Sequence, residues 1–202
     1  LHLLQLEPDE EVPGSRGEPI TLREALTSHY DISSLNKIFL ESYAPHAQSR
    51  SLDALLTGDK ESLKAYLDGR QIIDVVTEFP AKFPIASEFT GLLKKLAPRL
   101  YSISSSPNAH NGQVHLTVGV VRYQAHGRDR KGVCSNFLAD AKPGDKLPIF
   151  TQPNKHFKPP ADPTFPMIMV GPGTGIAPFR AFLHERQATG APGKNWLFFG
   201  DQ

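Results

Sequence analysis

Three short stretches of this chain combine residue types suited to charged, planar ligands. The first is Gly171-Pro172-Gly173-Thr174-Gly175-Ile176-Ala177-Pro178. Glycines let a backbone come close to a pyrophosphate, and the free amides and positive dipole end of a following helix meet its charge. Pro178 suits the first turn of that helix, where its missing N–H would have no partner. Gly171, Gly173, Thr174 and Gly175 are therefore candidate nucleotide contacts. The same run also reads as a plain tight connection from strand to helix. It is not a P-loop, because no Gly-Lys-Ser/Thr follows.

The second stretch is Arg99-Leu100-Tyr101-Ser102. An arginine can pair with a diphosphate, Leu100 is expected to turn inward, and Tyr101 offers a flat ring on which an isoalloxazine can stack. Ser102 adds a hydroxyl within reach. Taken alone, these residues also fit a surface arginine and a tyrosine at a sheet edge. The third stretch is Gly132-Val133-Cys134-Ser135-Asn136-Phe137-Leu138, a glycine turn into a short helix with Ser135 expected at its cap. Such a helix start is a second anion site, or else an ordinary capped helix. The loop residues Arg122, Arg128, Arg130 and Lys131 read either as a basic patch near phosphates or as a solvated loop. The eight histidines show no ligand spacing and read as solvated, so no metal is expected. Cys134 has no evident base and reads as a small packed residue.

The elements that must position these residues follow from periodicity. From Thr21 to about Leu96 apolar residues recur at helical spacing, as in Leu22, Ala25, Leu26 and Leu35, Ile38, Phe39. Ser33-Ser34, Ser51 and Ser87 mark expected helix starts, and Gly58 and Gly69 expected stops. At Arg99 the period changes. Val114, Leu116, Val118 and Val120 alternate with His115, Thr117 and Gly119, the rhythm of a strand with one buried face, and Leu100 to Ser104 reads as its neighbour. An antiparallel sheet or barrel is the simplest assembly. Residues 155 to 166 hold four prolines and read as a linker. Beyond them, Met167 to Val170, Gly171 to Gly175, Pro178 to Gln187 and Trp196 to Phe199 give strand, glycine turn, helix and strand, the start of a parallel nucleotide-binding sheet. The expected fold class is thus α+β followed by α/β.

Composition narrows the partners. Of 202 residues, 39% are hydrophobic and 21% charged, the balance of a globular chain with room for a core. A formal charge of +1 argues against a nucleic-acid surface. A single cysteine rules out an internal disulfide and fits a reducing compartment, so the cytoplasm is expected. No run approaches the roughly 18 apolar residues of a membrane span. The chain begins at Leu1 and both ends interrupt recognisable patterns, so a piece of a longer protein is expected.

Taken in order, with Thr117-Val118-Gly119 and Tyr123 between the second and third stretches, these motifs resemble the ferredoxin–NADP reductase superfamily, in particular the diflavin reductases and their assimilatory sulfite reductase branch. The resemblance is carried by Arg99 to Ser104, Val114 to Tyr123, Val170 to Arg180 and Gly193 to Gly200. It implies an antiparallel FAD-binding β-barrel with a helical connecting insertion, followed by the first βαβ unit of a Rossmann-like NADP-binding domain. Residues 1–97 would be the connecting subdomain, 98–163 the barrel portion and 164–202 the start of the NADP-binding domain. Arg99 would contact the FAD pyrophosphate, Tyr101 would stack on the isoalloxazine with Leu100 beside it, and Ser102 would sit near flavin N5 as the catalytic residue. Thr117, Val118, Gly119 and Tyr123 would line the flavin and its adenosine half. Gly132, Val133, Cys134 and Ser135 would cradle the pyrophosphate, Ser33 would touch FAD from the insertion, and Thr174 would bind the nicotinamide nucleotide. The implied activity is electron transfer from NADPH through FAD, and through FMN in the full-length protein, to a haem-containing acceptor such as the sulfite reductase haemoprotein. A P450 reductase-like enzyme and a non-catalytic flavin-binding module are the rival readings.

Overall fold

A computed structural model of the chain describes residues 1–201. The chain divides into two compact units, Leu1–Pro98 with Gln124–Arg128, and Arg99–Tyr123 with the residues from Asp129 onward.

The first unit is mainly helical. Strands β1 (Glu11–Pro13) and β2 (Pro19–Thr21) pair antiparallel, as do β3 (Tyr30–Asp31) and β4 (Lys94–Lys95). Between them lie α1 (Leu22–Glu24), a π turn at Ala25–His29, α2 (Lys37–Ala47), α3 (Arg50–Thr57), α4 (Lys60–Leu67), α5 (Ile72–Glu78) and α6 (Ala86–Gly91). The helix starts are set by side chains that reach the third helical amide: Asn36 accepts from Phe39, Ser49 from Leu52 and Asp59 from Ser62. The expected starts are thereby corrected. Ser51 and Ser87 lie inside helices, and Ser33 and Ser34 cap nothing because Asp31 takes their hydroxyls and amides. Gly58 does end α3, and Gly69 adopts φ 67 just past α4. Leu22, Leu40, Tyr43, Leu52, Val75 and Ala86 are fully enclosed in one apolar core. The Tyr43 hydroxyl donates to the Phe79 carbonyl at 2.7 Å, which satisfies the one polar atom that tyrosine brings inside.

The second unit departs from the expected barrel. Strands β5 (Arg122–Ala125) and β6 (Arg128–Lys131) form a hairpin whose outer part, Gln124–Arg128, belongs to the first unit; at its tip His126 and Gly127 have φ of 50 and 70, as a type I′ turn requires. Helix α7 spans Val133–Asp140. Strand β7 (Met167–Val170) pairs parallel with β8 (Asn195–Phe198), joined through a 3-10 turn at Gly173–Ile176 and helix α8 (Ala177–Thr189). The expected strand, glycine turn, helix and parallel strand are all present. The expected strands at 100–104 and 114–120 are not: between them stands one antiparallel bridge, Ile103 to Leu116, backed by the Ser104 N–H bonded to the His115 carbonyl at 2.8 Å. Serine hydroxyls take the place of a ladder here, the Ser105 hydroxyl accepting from the His115 amide and that of Ser106 from the amides of Asn108 and Ala109. Among the described residues every sheet has two strands, and no barrel closes. Leu100, expected to point inward, is 65% exposed. The proline-rich stretch has no regular structure but is pinned. Phe157 packs on Phe179 and Phe182 of α8, and the Arg186 guanidinium donates to the carbonyls of Pro163 and Phe165. No helix among the described residues is long and apolar enough to cross a membrane.

Candidate functional site

The candidate residues of the second unit gather at three points. The first joins Tyr101 to Cys134. Partial burial raises the Tyr101 hydroxyl above its ordinary value, and its hydrogen bond with the Cys134 thiol adds to that, while the Arg99 cation acts in the opposite sense. The Arg-x-Tyr stretch and the third glycine stretch are thus neighbours, though thirty-odd residues separate them in the sequence. Arg99, Leu100 and Ser102 are exposed around this point.

At the second point the start of α7 is locked by side chains. Gly132 precedes the helix, and its amide donates to the Val121 carbonyl at 2.9 Å. A Cβ on Gly132 would lie 2.8 Å from Ser135 Oγ and 2.9 Å from Val121 Cβ, so only glycine fits. Ser135, expected at the cap, is instead the third helical residue. Its buried hydroxyl is committed elsewhere, accepting from the Val121 amide at 3.2 Å. Asn136 does more than its place in the motif suggested: its amide donates to the carbonyls of Val121 and Gly132, and its oxygen accepts from Arg122 Nε at 2.9 Å. The first helical bond runs from the Asn136 N–H to the Gly132 carbonyl, which leaves the amides of Val133, Cys134 and Ser135 as the donors of the helix start. Of the basic loop residues, Arg130 is 5% exposed, so it is no solvated loop residue.

The third point is the turn of Gly171 to Gly175. The Gly171 and Gly173 amides donate to the carbonyls of Phe198 and Gly200, tying the turn to the end of β8. At Gly171 a Cβ would meet Ile176 Cα and Phe179 Cδ2, both at 2.9 Å, and Gly173 has φ 52. Thr174 is exposed, and its methyl lies 3.2 Å from where a Cβ of Gly119 would stand. The turn therefore meets the Thr117-Val118-Gly119 segment, of which Thr117 and Val118 are half-buried. Tyr123 sits exposed on β5. Ser33 belongs to the first unit, where its hydroxyl donates to Asp31 at 2.7 Å. A depression between α2 and α3, lined by Glu41, Gln48, Asp53 and Leu56, contains no motif residue.

Two glycine-lined helix starts and an exposed arginine beside a half-buried tyrosine suit a ligand with a pyrophosphate and an aromatic ring system. Not legible from spacing were Asn136, Arg180 and a histidine cluster. Arg180 Nη1 donates to the Ser104 carbonyl at 2.7 Å, and His110 Nε2 lies 3.2 Å from His184 Nδ1, 74 residues away. The histidines expected to be solvated are, in these cases, partners of one another.

Comparison with known proteins matches the FAD binding domain family to residues 1–137 and the oxidoreductase NAD-binding domain family to residues 169–202. The chain is 50% identical over 199 residues to the sulfite reductase (NADPH) flavoprotein alpha-component of Bacillus subtilis (strain 168), which covers 97% of this chain and 33% of that protein. It is 48% identical over 203 residues to the like-named protein of Mannheimia succiniciproducens, covering 100% of this chain and 34% of that one. The chain thus spans about one third of the length of the curated relatives it matches.

Proposed function

The chain belongs to the FAD-binding domain family and continues into an NAD-binding segment, and on that footing we propose that it carries electrons from NADPH to FAD within a flavoprotein reductase of assimilatory sulfite reduction. FAD and a nicotinamide nucleotide are the cofactors of its two domain families. The finer assignment is that residues 98–163 contribute to an FAD-binding barrel, residues 1–97 form the connecting subdomain and residues 164–202 begin the NADP-binding domain. A haemoprotein subunit, served through FMN in the full-length cytoplasmic enzyme, is the proposed electron acceptor.

The observation that carries this reading is the approach of Thr174 to Gly119, which sets the nucleotide turn against the segment that follows the Arg99-Tyr101 stretch. When bound, FAD supplies the ring that accepts hydride and the nicotinamide nucleotide supplies the hydride. The chain's own residues bind and orient. Arg99 neutralises pyrophosphate charge, and the amides of Val133, Cys134 and Ser135 donate to it. Gly132 lets that helix start come close. Tyr101 presents its ring for stacking beside the Cys134 thiol, and Ser102 offers a hydroxyl to the reacting edge. Thr117, Val118 and Tyr123 line the flavin, with Leu100 as a peripheral contact. Gly171, Gly173, Thr174 and Gly175 hold the nucleotide. No acid–base pair is needed, because position and electrostatics are the protein's share.

Arg99→Ala is expected to weaken FAD binding by about 1.5–3 kcal/mol, the worth of a lost charge-assisted hydrogen bond. Titrating the flavin-free protein with FAD checks this, and unchanged affinity removes Arg99 from the site.

A further inference from the structure

The loop that follows Ser102 is fastened to α8 by five polar contacts, all within the second unit. The Ser106 hydroxyl donates to Glu185 Oε2, and Asn108 Nδ2 donates to Glu185 Oε1 at 2.7 Å, so both carboxylate oxygens are taken by the loop. Arg180 Nη1 donates to the Ser104 carbonyl at 2.7 Å and lies 3.4 Å from His115 Nδ1. His110 Nε2 faces His184 Nδ1 at 3.2 Å, and the His110 ring packs 4.3 Å from that of His115 and 4.9 Å from that of His184. Ser104, Ser105 and Ser106 are buried, so the loop side of these contacts is shielded from water.

What the contacts join gives them a consequence. The loop leads from Tyr101 and Ser102 into Thr117 to Gly119, and α8 begins directly after the nucleotide turn. We propose that Arg180, His184 and Glu185 form a clasp with Ser104, Ser106, Asn108 and His110 that sets the nucleotide turn in register with the flavin-facing segments, making these three helix residues positioning residues for hydride transfer. The proposal rests on the functional reading above. A misplacement of about 1 Å can cost on the order of a hundredfold in rate, so a clasp remote from the reacting atoms still governs the reaction.

The clasp also has a pH dependence with a definite sign. In the His110–His184 pair one nitrogen must donate and the other accept, so the pair fails when both rings are protonated. The charged and titratable groups facing it are Arg180 and Glu185 from α8 and His115 from the loop. Burial, then Arg180, His110 and His115, hold His184 below the ordinary histidine value of 6.5; burial, then His110 and Arg180, do the same for His115. A lowered value means that the neutral form is favoured in the fold. The clasp is therefore complete at pH 6.5 and above, and loosens as pH falls through the folded value of His184, which lies below 6.5.

The test uses the full-length, FAD-loaded protein in anaerobic stopped flow with NADPH, together with amide exchange at Asn108 and Ala109, whose N–H groups donate to Ser106. Glu185→Ala should slow flavin reduction about tenfold with FAD content unchanged, and should speed exchange at both amides. Glu185→Gln, which keeps an acceptor, should recover most of the rate. In the wild type the rate should fall below about pH 6.5, and His184→Gln should blunt that fall. Equal reduction rates in wild type and Glu185→Ala overturn the clasp, as do unprotected Asn108 and Ala109 amides in the wild type. A wild-type flavin that NADPH fails to reduce refutes the functional reading instead, and the exchange measurement still decides the clasp.

Discussion

The first unit buries carbon and the second buries oxygen and nitrogen. In the first, leucines, valines and aromatic rings fill one continuous interior around Leu22, Leu40, Tyr43 and Leu52. In the second, the enclosed side chains are mostly Ser104, Ser105, Ser106, Arg130, Ser135, Asn136 and Arg186, while Ile149, Ile168, Val170, Trp196 and Phe198 are more than half exposed. Apolar burial is non-directional and roughly proportional to area, so it stabilises without fixing atoms to tenths of an ångström. Hydrogen bonds contribute less net stability each but are directional, and a partner lost inside is costly. The unit proposed to place two cofactors is thus the one organised by directional contacts, and the helical unit is the one organised by volume.

The sharpest way to break this contrast is a cavity in the first unit. Leu40→Ala removes a fully buried side chain and should cost about 2–5 kcal/mol in chemical denaturation. A loss below about 1 kcal/mol would mean that the core is looser than its burial implies. Next in size is a volume change in the second unit. Gly171→Ala places a Cβ 2.9 Å from the backbone of Ile176 and should cost about 1–3 kcal/mol, with nicotinamide nucleotide affinity falling alongside the melting temperature. Normal affinity with lowered stability would separate the turn from the nucleotide site. The smallest effect lies at Asp31. Burial raises its carboxyl, but the hydroxyls and amides of Ser34 and Ser33 outweigh that and hold it below 3.8. A lowered carboxyl contributes stability above its unfolded value and loses it as pH falls through the folded one. Asp31→Asn should therefore cost less than about 1 kcal/mol near neutrality, since solvent still screens this half-buried group, and nothing well below pH 3.8. Denaturation midpoints at the two pH values check the sign.

The parallel pair was legible in the sequence because its signals are local: Met167 to Val170 is the observed β7, and the glycine turn leads into α8 as its composition requires. Helices of the first unit were legible as a group, but their starts were not. Several serines stand two or three residues apart, and only the geometry of the third helical amide selects Ser49 over Ser51. Alternation at Val114 to Val120 promised a strand with a buried face, yet Val114, Leu116 and Val120 are exposed, and serine hydroxyls satisfy the neighbouring amides instead. Alternation reports a preference for two faces and does not say what covers them. The hydrogen-bond contacts of Arg180, His110 and His184 were illegible because their partners lie 65 or more residues away. Composition near each residue carries no trace of such a pairing.

The central claim is that the second unit brings a flavin and a nicotinamide nucleotide into reacting contact. Anaerobic addition of NADPH to the FAD-loaded protein tests it most directly. The account predicts bleaching of the oxidised flavin absorbance, slowed in Ser102→Ala with FAD content retained. An oxidised spectrum that persists under excess NADPH would contradict it and leave a flavin-binding module without reductase activity.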